Sequence, residues 1–269
     1  MRRPPFLPLL LLLLAAPLPA QIENQKSKIR NSTLFVAAAS NLVFALDALH
    51  AEFRRTHPDI TLTGATGASG NLVAQIVHGA PYDIFLSADL DYPLALIKAG
   101  HADAATLTTF AIGRLVLWTT QPNVPLTDVA ATVRSPTVRK LAIAQPATAP
   151  YGRAARQALE KLGVWSDAQT KIVTGETVTQ AAQFVETGHA DAGFVALSLV
   201  LSPKLKDQGR WLEVPAPLYA PLDQGVVITK RGAANPAAAR YLAFLRSDAA
   251  RKIFARFGYA LPSRLSTTR

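Results

Sequence analysis

Four short stretches carry groups that could bind or react, and each follows an apolar run and opens a helical pattern. LFVAA (34–38) leads into ASN, which puts the hydroxyl of Ser40 and the amide of Asn41 at the end of a strand and the start of a helix. Free N–H groups and the positive end of the helix dipole lie at such a point, so an anion is favoured there. GATGASGN (64–71) repeats the arrangement, with glycines that allow close approach and Ser69 at the expected N-cap. QPATAPYGRAA (145–155) makes a strand-to-helix turn in which Tyr151 and Gly152 can offer N–H groups, and TGETV (174–178) leads into a helix starting near Val178. Four helix starts aimed at one cleft suit an oxyanion, and equally a carboxylate or a phosphate. Ordinary capping is the plainer use of Ser40 and Ser69.

Other chemistries find less support. GASGN misses the G-x-S-x-G spacing of a nucleophile elbow by one position and no histidine stands in a triad context, which leaves a serine hydrolase built on Ser69 as a distant alternative. The five histidines, His50, His57, His78, His101 and His189, show no i, i+4 pairing of the kind that holds zinc. Asp83, Asp89 and Asp91 could ligate a metal, but Asp89 or Asp91 is better placed to cap the helix that follows.

The elements that must position these groups alternate along the chain. Strands are expected at 34–38, 60–65, 83–88, 114–120, 140–145, 171–176, 192–198 and 225–230, where apolar runs are nearly continuous. Helices are expected between them, with Leu42, Leu46, Leu49 and Phe53 on one face, and with Gly79, Gly100 and Gly258 as stops. Asn235-Pro236 reads as an N-cap and first-turn pair opening two C-terminal helices. Continuous apolar strands alternating with helices point to parallel sheets covered on both faces. GHADA occurs at 100–104 and again at 188–192, and the second copy sits in a layout of helix, Gly, Asp and buried strand that LVAQIVHGAPYDIFLSA also follows. Two similarly built α/β lobes would produce this echo. Residues 34–113 with 226–269 are then one lobe and 114–225 the other, joined by hinge strands near 114–118 and 219–226, with strand ends facing across a cleft.

Residues 1–20 combine two arginines, a leucine-rich run and a small residue at Ala20, the layout of a signal peptide; residues 21–33 read as a polar leader. The apolar stretch from Phe6 is shorter than the roughly 20 residues of a membrane span. The chain has no cysteine, which excludes disulfides, thiolate nucleophiles and Cys-based zinc sites and fits an oxidising compartment such as a bacterial periplasm. Net charge is +10, but the Lys and Arg residues are dispersed and aromatics make up 7%, so the basicity suits attraction of small anions rather than nucleic acid.

The chain resembles the periplasmic molybdate-binding proteins of ABC importers, from LFVAAASN through GASGNLVAQIVHGAPYDIFLSAD, ALEKLGVW and AGFVALS to NPAAARYLAFLRSDAARKIFARFGY. The resemblance implies an α/β, two-lobed periplasmic-binding-protein-like fold, each lobe a mostly parallel sheet flanked by helices with the ligand cleft between lobes. It implies that Ser40 and Ser69 ligate through their side chains, Asn41 through its backbone or amide N–H, and Tyr151 and Val178 through backbone N–H groups. Many members carry a tyrosine where this chain has Ala196, and Tyr151 is the expected replacement. The implied function is capture of molybdate or tungstate for a membrane ABC permease, by a periplasmic monomer with no cofactor, no enzyme activity and no nucleic-acid partner. Sulfate, phosphate or a small carboxylate are the alternative ligands.

Overall fold

The computed structural model describes residues 32–263. The expected signal peptide lies outside the described residues, and so does the leader except for Ser32 and Thr33, which already belong to the first strand. Ten strands follow in chain order: β1 (Ser32–Ala39), β2 (Ile60–Gly67), β3 (Ile84–Leu86), β4 (Thr108–Gly113), β5 (Leu115–Thr119), β6 (Leu141–Ala144), β7 (Ile172–Gly175), β8 (Ala192–Ala196), β9 (Arg210–Glu213) and β10 (Leu222–Ile228). The helices are α1 (Val43–Thr56), α2 (Ser69–Val77), α3 (Asp91–Lys98), α4 (Val129–Arg134), α5 (Pro150–Lys161), α6 (Trp165–Gln169), α7 (Val178–Glu186), α8 (Leu197–Val200), α9 (Pro236–Leu245) and α10 (Asp248–Arg256). A 3-10 turn at Ser40–Leu42 runs directly into α1.

The strands form two five-stranded sheets, ordered β2-β1-β3-β10-β4 and β7-β6-β8-β5-β9. In each, the fourth strand alone runs against the others: β10 is antiparallel to β3 and β4, and β5 to β8 and β9. The two orders are the same pattern, so β1, β2 and β3 of the first lobe correspond to β6, β7 and β8 of the second. The chain passes from the first sheet to the second at Gly113–Arg114 and is back in the first by Leu222, the register partner of Gly113. Sequence reading missed β9 because three of its four residues are exposed and it has no continuous apolar run, and β4 because its short run at 110–112 lies only two residues before that of β5. It missed α4, α6 and α8 because none is long enough to show a helical period.

Alternation along β1 divides the first lobe's core. Leu34, Val36 and Ala38 face Leu49, Phe53, Tyr241 and Phe254, while Ala37 faces the opposite way toward Phe85, Leu72 and Leu96. The second lobe has one continuous core around Trp118, Ile143, Leu159 and Phe194, which also takes in Ala39, Ala68 and Ala88 from the first lobe. Those three alanines mark where the lobes meet.

The repeated layout has a structural meaning. Asp83, just before β3, accepts a hydrogen bond from Phe35 N at 3.0 Å, and Asp191, just before β8, accepts from Arg139 N and Lys140 N at 2.8 Å each. Each carboxylate therefore ties the start of its lobe's third strand to the first strand, at the middle of β1 in one lobe and just before β6 in the other. The glycines that precede these aspartates, Gly79 and Gly188, both end a helix with positive φ, +89 and +75, a backbone region that favours glycine.

On α1, His50 lies against the Tyr241 ring with its Nε2 buried and unpartnered, and the Tyr241 hydroxyl is likewise unpartnered. Burial, and secondarily the Arg54 charge, pulls the imidazole pKa from 6.5 to about 4. The unfolded chain therefore takes up a proton that the folded chain refuses, and stability is lost as pH falls from 6.5 through about 4. Urea unfolding of wild type and His50→Phe across this range is expected to give a shallower acid slope for the variant; equal slopes would refute the assignment.

Candidate functional site

The site begins with strand register. Ala39 pairs with Gly67 at the ends of β1 and β2, and Ala144 pairs with Gly175 at the ends of β6 and β7. Because each pair ends level, the helices that follow start side by side. Ser40 and Asn41 follow β1, Ser69 opens α2, Tyr151 is the second residue of α5, and Val178 opens α7. Under the equivalence of the lobes, Tyr151 stands where Ser40 and Asn41 stand, and Val178 where Ser69 stands.

Neither serine caps its helix. The N-cap positions are Ala39 and Ala68, with no side-chain cap bond at either, so Ser69 sits one residue inside the helix rather than at the expected N-cap. Ser69 is fully buried, and its Oγ accepts a hydrogen bond from Ala88 N at 3.1 Å. That bond occupies a lone pair and leaves the hydroxyl proton for another acceptor. Asn41 has its amide committed: Nδ2 donates to Gln224 Oε1 and to the Tyr259 hydroxyl, both at 2.8 Å, and Oδ1 has no partner. Of the two groups expected from Asn41, only the backbone N–H is left to face a ligand. Gln224 in turn donates from Nε2 to Ala88 O at 3.0 Å, linking Asn41 to the residue that orients Ser69.

In the second lobe, α5 approaches its strand closely. A Cβ added to Gly152 would lie 2.1 Å from Ala144 O, so only glycine lets the first turn, with Tyr151, come this near the end of β6. The Tyr151 ring is buried, and its hydroxyl is unpartnered and turned to Gly113, whose Cβ position it would overlap at 2.3 Å. Burial, then the neighbouring Tyr259 and Tyr219 phenols, pushes its pKa well up. Ala196, where the resemblance implies a tyrosine in many members, is a buried alanine closing β8. Thr177 caps α7 by accepting from Gln180 N.

Ser40, Asn41, Ser69, Tyr151 and Val178 all line one small cavity between the lobes. None of the residues lining it is charged. A larger, solvent-open depression of about 650 Å3 lies on the second lobe near Arg156 and Trp165 and contains none of the five. Size favours the depression, but converging helix starts and buried hydroxyls favour the small cavity, and they are the features that bind an anion.

Direct contacts hold the lobes together around this cavity. Gly70 N donates to Thr148 O at 2.9 Å, and the Tyr92 hydroxyl donates to Ala147 O at 3.1 Å. Arg153 pairs with Asp89, lies 3.7 Å from Asp91, and covers the Tyr92 ring at 5.6 Å. Asp89 also accepts from Tyr92 N in the first turn of α3, from one residue before the N-cap, Leu90, rather than from the cap position itself. Burial pushes the Asp89 carboxyl pKa up, with the Tyr92 N–H, Arg153 and the Ser87 hydroxyl pulling it back. Sequence reasoning missed Arg153, Gln224 and Tyr259 as parts of this site. A buried glutamine beside Asp223, just ahead of the apolar run of β10, was the available clue for one of them.

Two α/β lobes with a cavity of helix starts at their junction define a two-lobed solute-binding protein. The chain belongs to the bacterial extracellular solute-binding protein family, whose sequence profile matches residues 34–260. It is 41% identical over 199 residues to the molybdate-binding protein ModA of Rhodobacter capsulatus, covering 74% of this chain and 77% of that one. ModA of Azotobacter vinelandii is 39% identical over 228 residues, covering 84% and 89%. The solved structure of the Azotobacter vinelandii periplasmic molybdate-binding protein superposes with a TM-score of 0.80 at 35% identity, over 85% of this chain and 99% of that one.

Arg153→Ala removes the ion pair between lobes. Because the arginine is partly exposed, the loss is at most about 1 kcal/mol. The ligand-free variant is expected to show a larger radius of gyration by small-angle X-ray scattering with unchanged circular dichroism. Equal radii would mean that this pair does not hold the lobes.

Proposed function

We propose that this chain, exported by its N-terminal segment, captures molybdate in the periplasm and delivers it to the permease of an ABC importer. Tungstate is the second ligand, being of the same shape and charge. The observation that carries the reading is the convergence of four helix starts on one small cavity lined by no charged side chain. Relatives named for molybdate binding, at 39% and 41% identity, support the choice of anion.

In this reading, Ser40 and Ser69 donate their hydroxyls, and Asn41, Tyr151 and Val178 donate their N–H groups. A site of donors suits a fully deprotonated dianion, because a protonated phosphate would bring a hydrogen atom in need of an acceptor. Molybdate and sulfate share charge and shape, so the discrimination between them rests on cavity size. The passages at Gly113–Arg114 and before Leu222 act as the hinge, and a ligand that touches both lobes favours the closed arrangement.

Thermal unfolding with molybdate, tungstate, sulfate or phosphate tests the reading. Ligand at about 100 times its dissociation constant adds roughly 2.7 kcal/mol, a shift of a few degrees. A shift with the first two anions alone is expected; a shift with sulfate or phosphate instead would discard the ligand. By titration calorimetry, Ser69→Ala is expected to lower molybdate affinity by about 1.5–3 kcal/mol, the worth of a charge-assisted hydrogen bond. Tyr151→Phe is expected to leave affinity unchanged, and equal losses in the two variants would make the phenol a ligand.

A further inference from the structure

We propose that Thr179 is a positioning residue of the anion site, acting from the second lobe through the peptide group that joins Ser40 to Asn41. The inference rests on the function proposed above. Thr179 is the second residue of α7, next to Val178, and its hydroxyl crosses the cleft to donate to Ser40 O at 2.9 Å. Ser40 O and Asn41 N are the two ends of one amide, and Asn41 lines the cavity. Ser40 O also accepts from Val43 N, so Thr179 fills its second lone pair. A donor on the carbonyl draws electron density through the amide and leaves its N–H a stronger donor, since hydrogen bonds in a chain polarise one another.

The next carbonyl is treated alike. Asn41 O accepts from Ser198 Oγ at 2.8 Å and from the Tyr259 hydroxyl at 3.0 Å, and Ser198, on α8, again belongs to the second lobe. One face of the first helix start thus turns its N–H groups to the ligand while its carbonyls receive hydroxyls from the opposite lobe. Closure brings the Val178 N–H to the anion and, in the same movement, strengthens the Asn41 N–H. The effect is reciprocal: an anion drawing on Asn41 N–H makes Ser40 O a better acceptor for Thr179, and so favours closure.

The test uses the full mature chain as wild type, Thr179→Val, which keeps the shape and loses the hydroxyl, and Thr179→Ser, which keeps the hydroxyl. Calorimetric titration with sodium molybdate is expected to show the valine variant about threefold to tenfold weaker, the range for one neutral hydrogen bond, and the serine variant close to wild type. Circular dichroism without molybdate is expected to agree among all three, which separates a loss of binding from a failure to fold. The Asn41 amide proton, followed by NMR in the molybdate-bound state, is expected to move upfield in the valine variant alone. Unchanged affinity in the valine variant, or an equal loss in the serine variant, overturns the role of the hydroxyl while leaving the proposed function standing. A wild type that does not bind molybdate overturns the function, and this inference with it.

Discussion

A cavity that attracts an anion without a charged side chain depends on the aim of its backbone N–H groups, and those can be aimed only by fixing where helices begin. Here that is done by strand register: Ala39 opposite Gly67 and Ala144 opposite Gly175 set two helix starts level in each lobe. The small residues follow from the same requirement. Ala39, Ala68 and Ala88 are buried where the lobes meet, and bulk at any of them would hold the two sets of helix starts apart. Side chains near the cavity mostly keep the backbone in place. Gln224 ties Asn41 to Ala88, and Ala88 N orients Ser69, so two candidate ligands from different strands are set by one buried network.

The lobes repeat one plan with a division of labour. Both have the order second, first, third strand, then a reversed strand and an edge strand, and both use an aspartate before the third strand to tie it to the first. Site residues correspond in pairs under this repeat, but the first lobe has Ser40 and Ser69 at the cavity where the second has Tyr151 and Val178, and the second turns the hydroxyls of Thr179 and Ser198 on the first lobe's carbonyls. Equivalent positions have diverged in chemistry while the geometry that delivers them has stayed the same.

Much of this was legible in the sequence, for local reasons. Buried central strands announce themselves as apolar runs, and helix starts as the residues just after them; position marked four helix starts, the resemblance picked out Ser40, Asn41, Ser69, Tyr151 and Val178 among them, and all five line one cavity. The Asn235 cap and the stops at Gly79, Gly100 and Gly258 are equally local. β9 was not legible because an exposed strand carries no such run, and β4 because its short run at 110–112 almost abuts that of β5. The cap expected of Ser69 was misplaced by one residue, since the sequence does not say where the first helical turn closes. Contacts such as Asn41 with Gln224, or Thr179 with Ser40, join segments far apart in the chain and exist only after both lobes are built.

The pairing of Gly113 with Leu222 has a further consequence. β4 and β10 are neighbouring antiparallel strands, so in topology they are a hairpin, and residues 114–221, the entire second lobe, occupy the position of its turn. Both tethers leave the first sheet from adjacent residues, and just beyond it they are joined by Leu115 N donating to the Tyr219 hydroxyl at 3.3 Å and by the Arg114–Glu213 pair. A body hung from two strands that run together resists sliding and shear but turns easily about the line they share. The motion open to this receptor is therefore a swing with one soft direction, and the β-bulge at Gln224 and Gly225, where that line enters the sheet, lies beside the residues that hold Asn41.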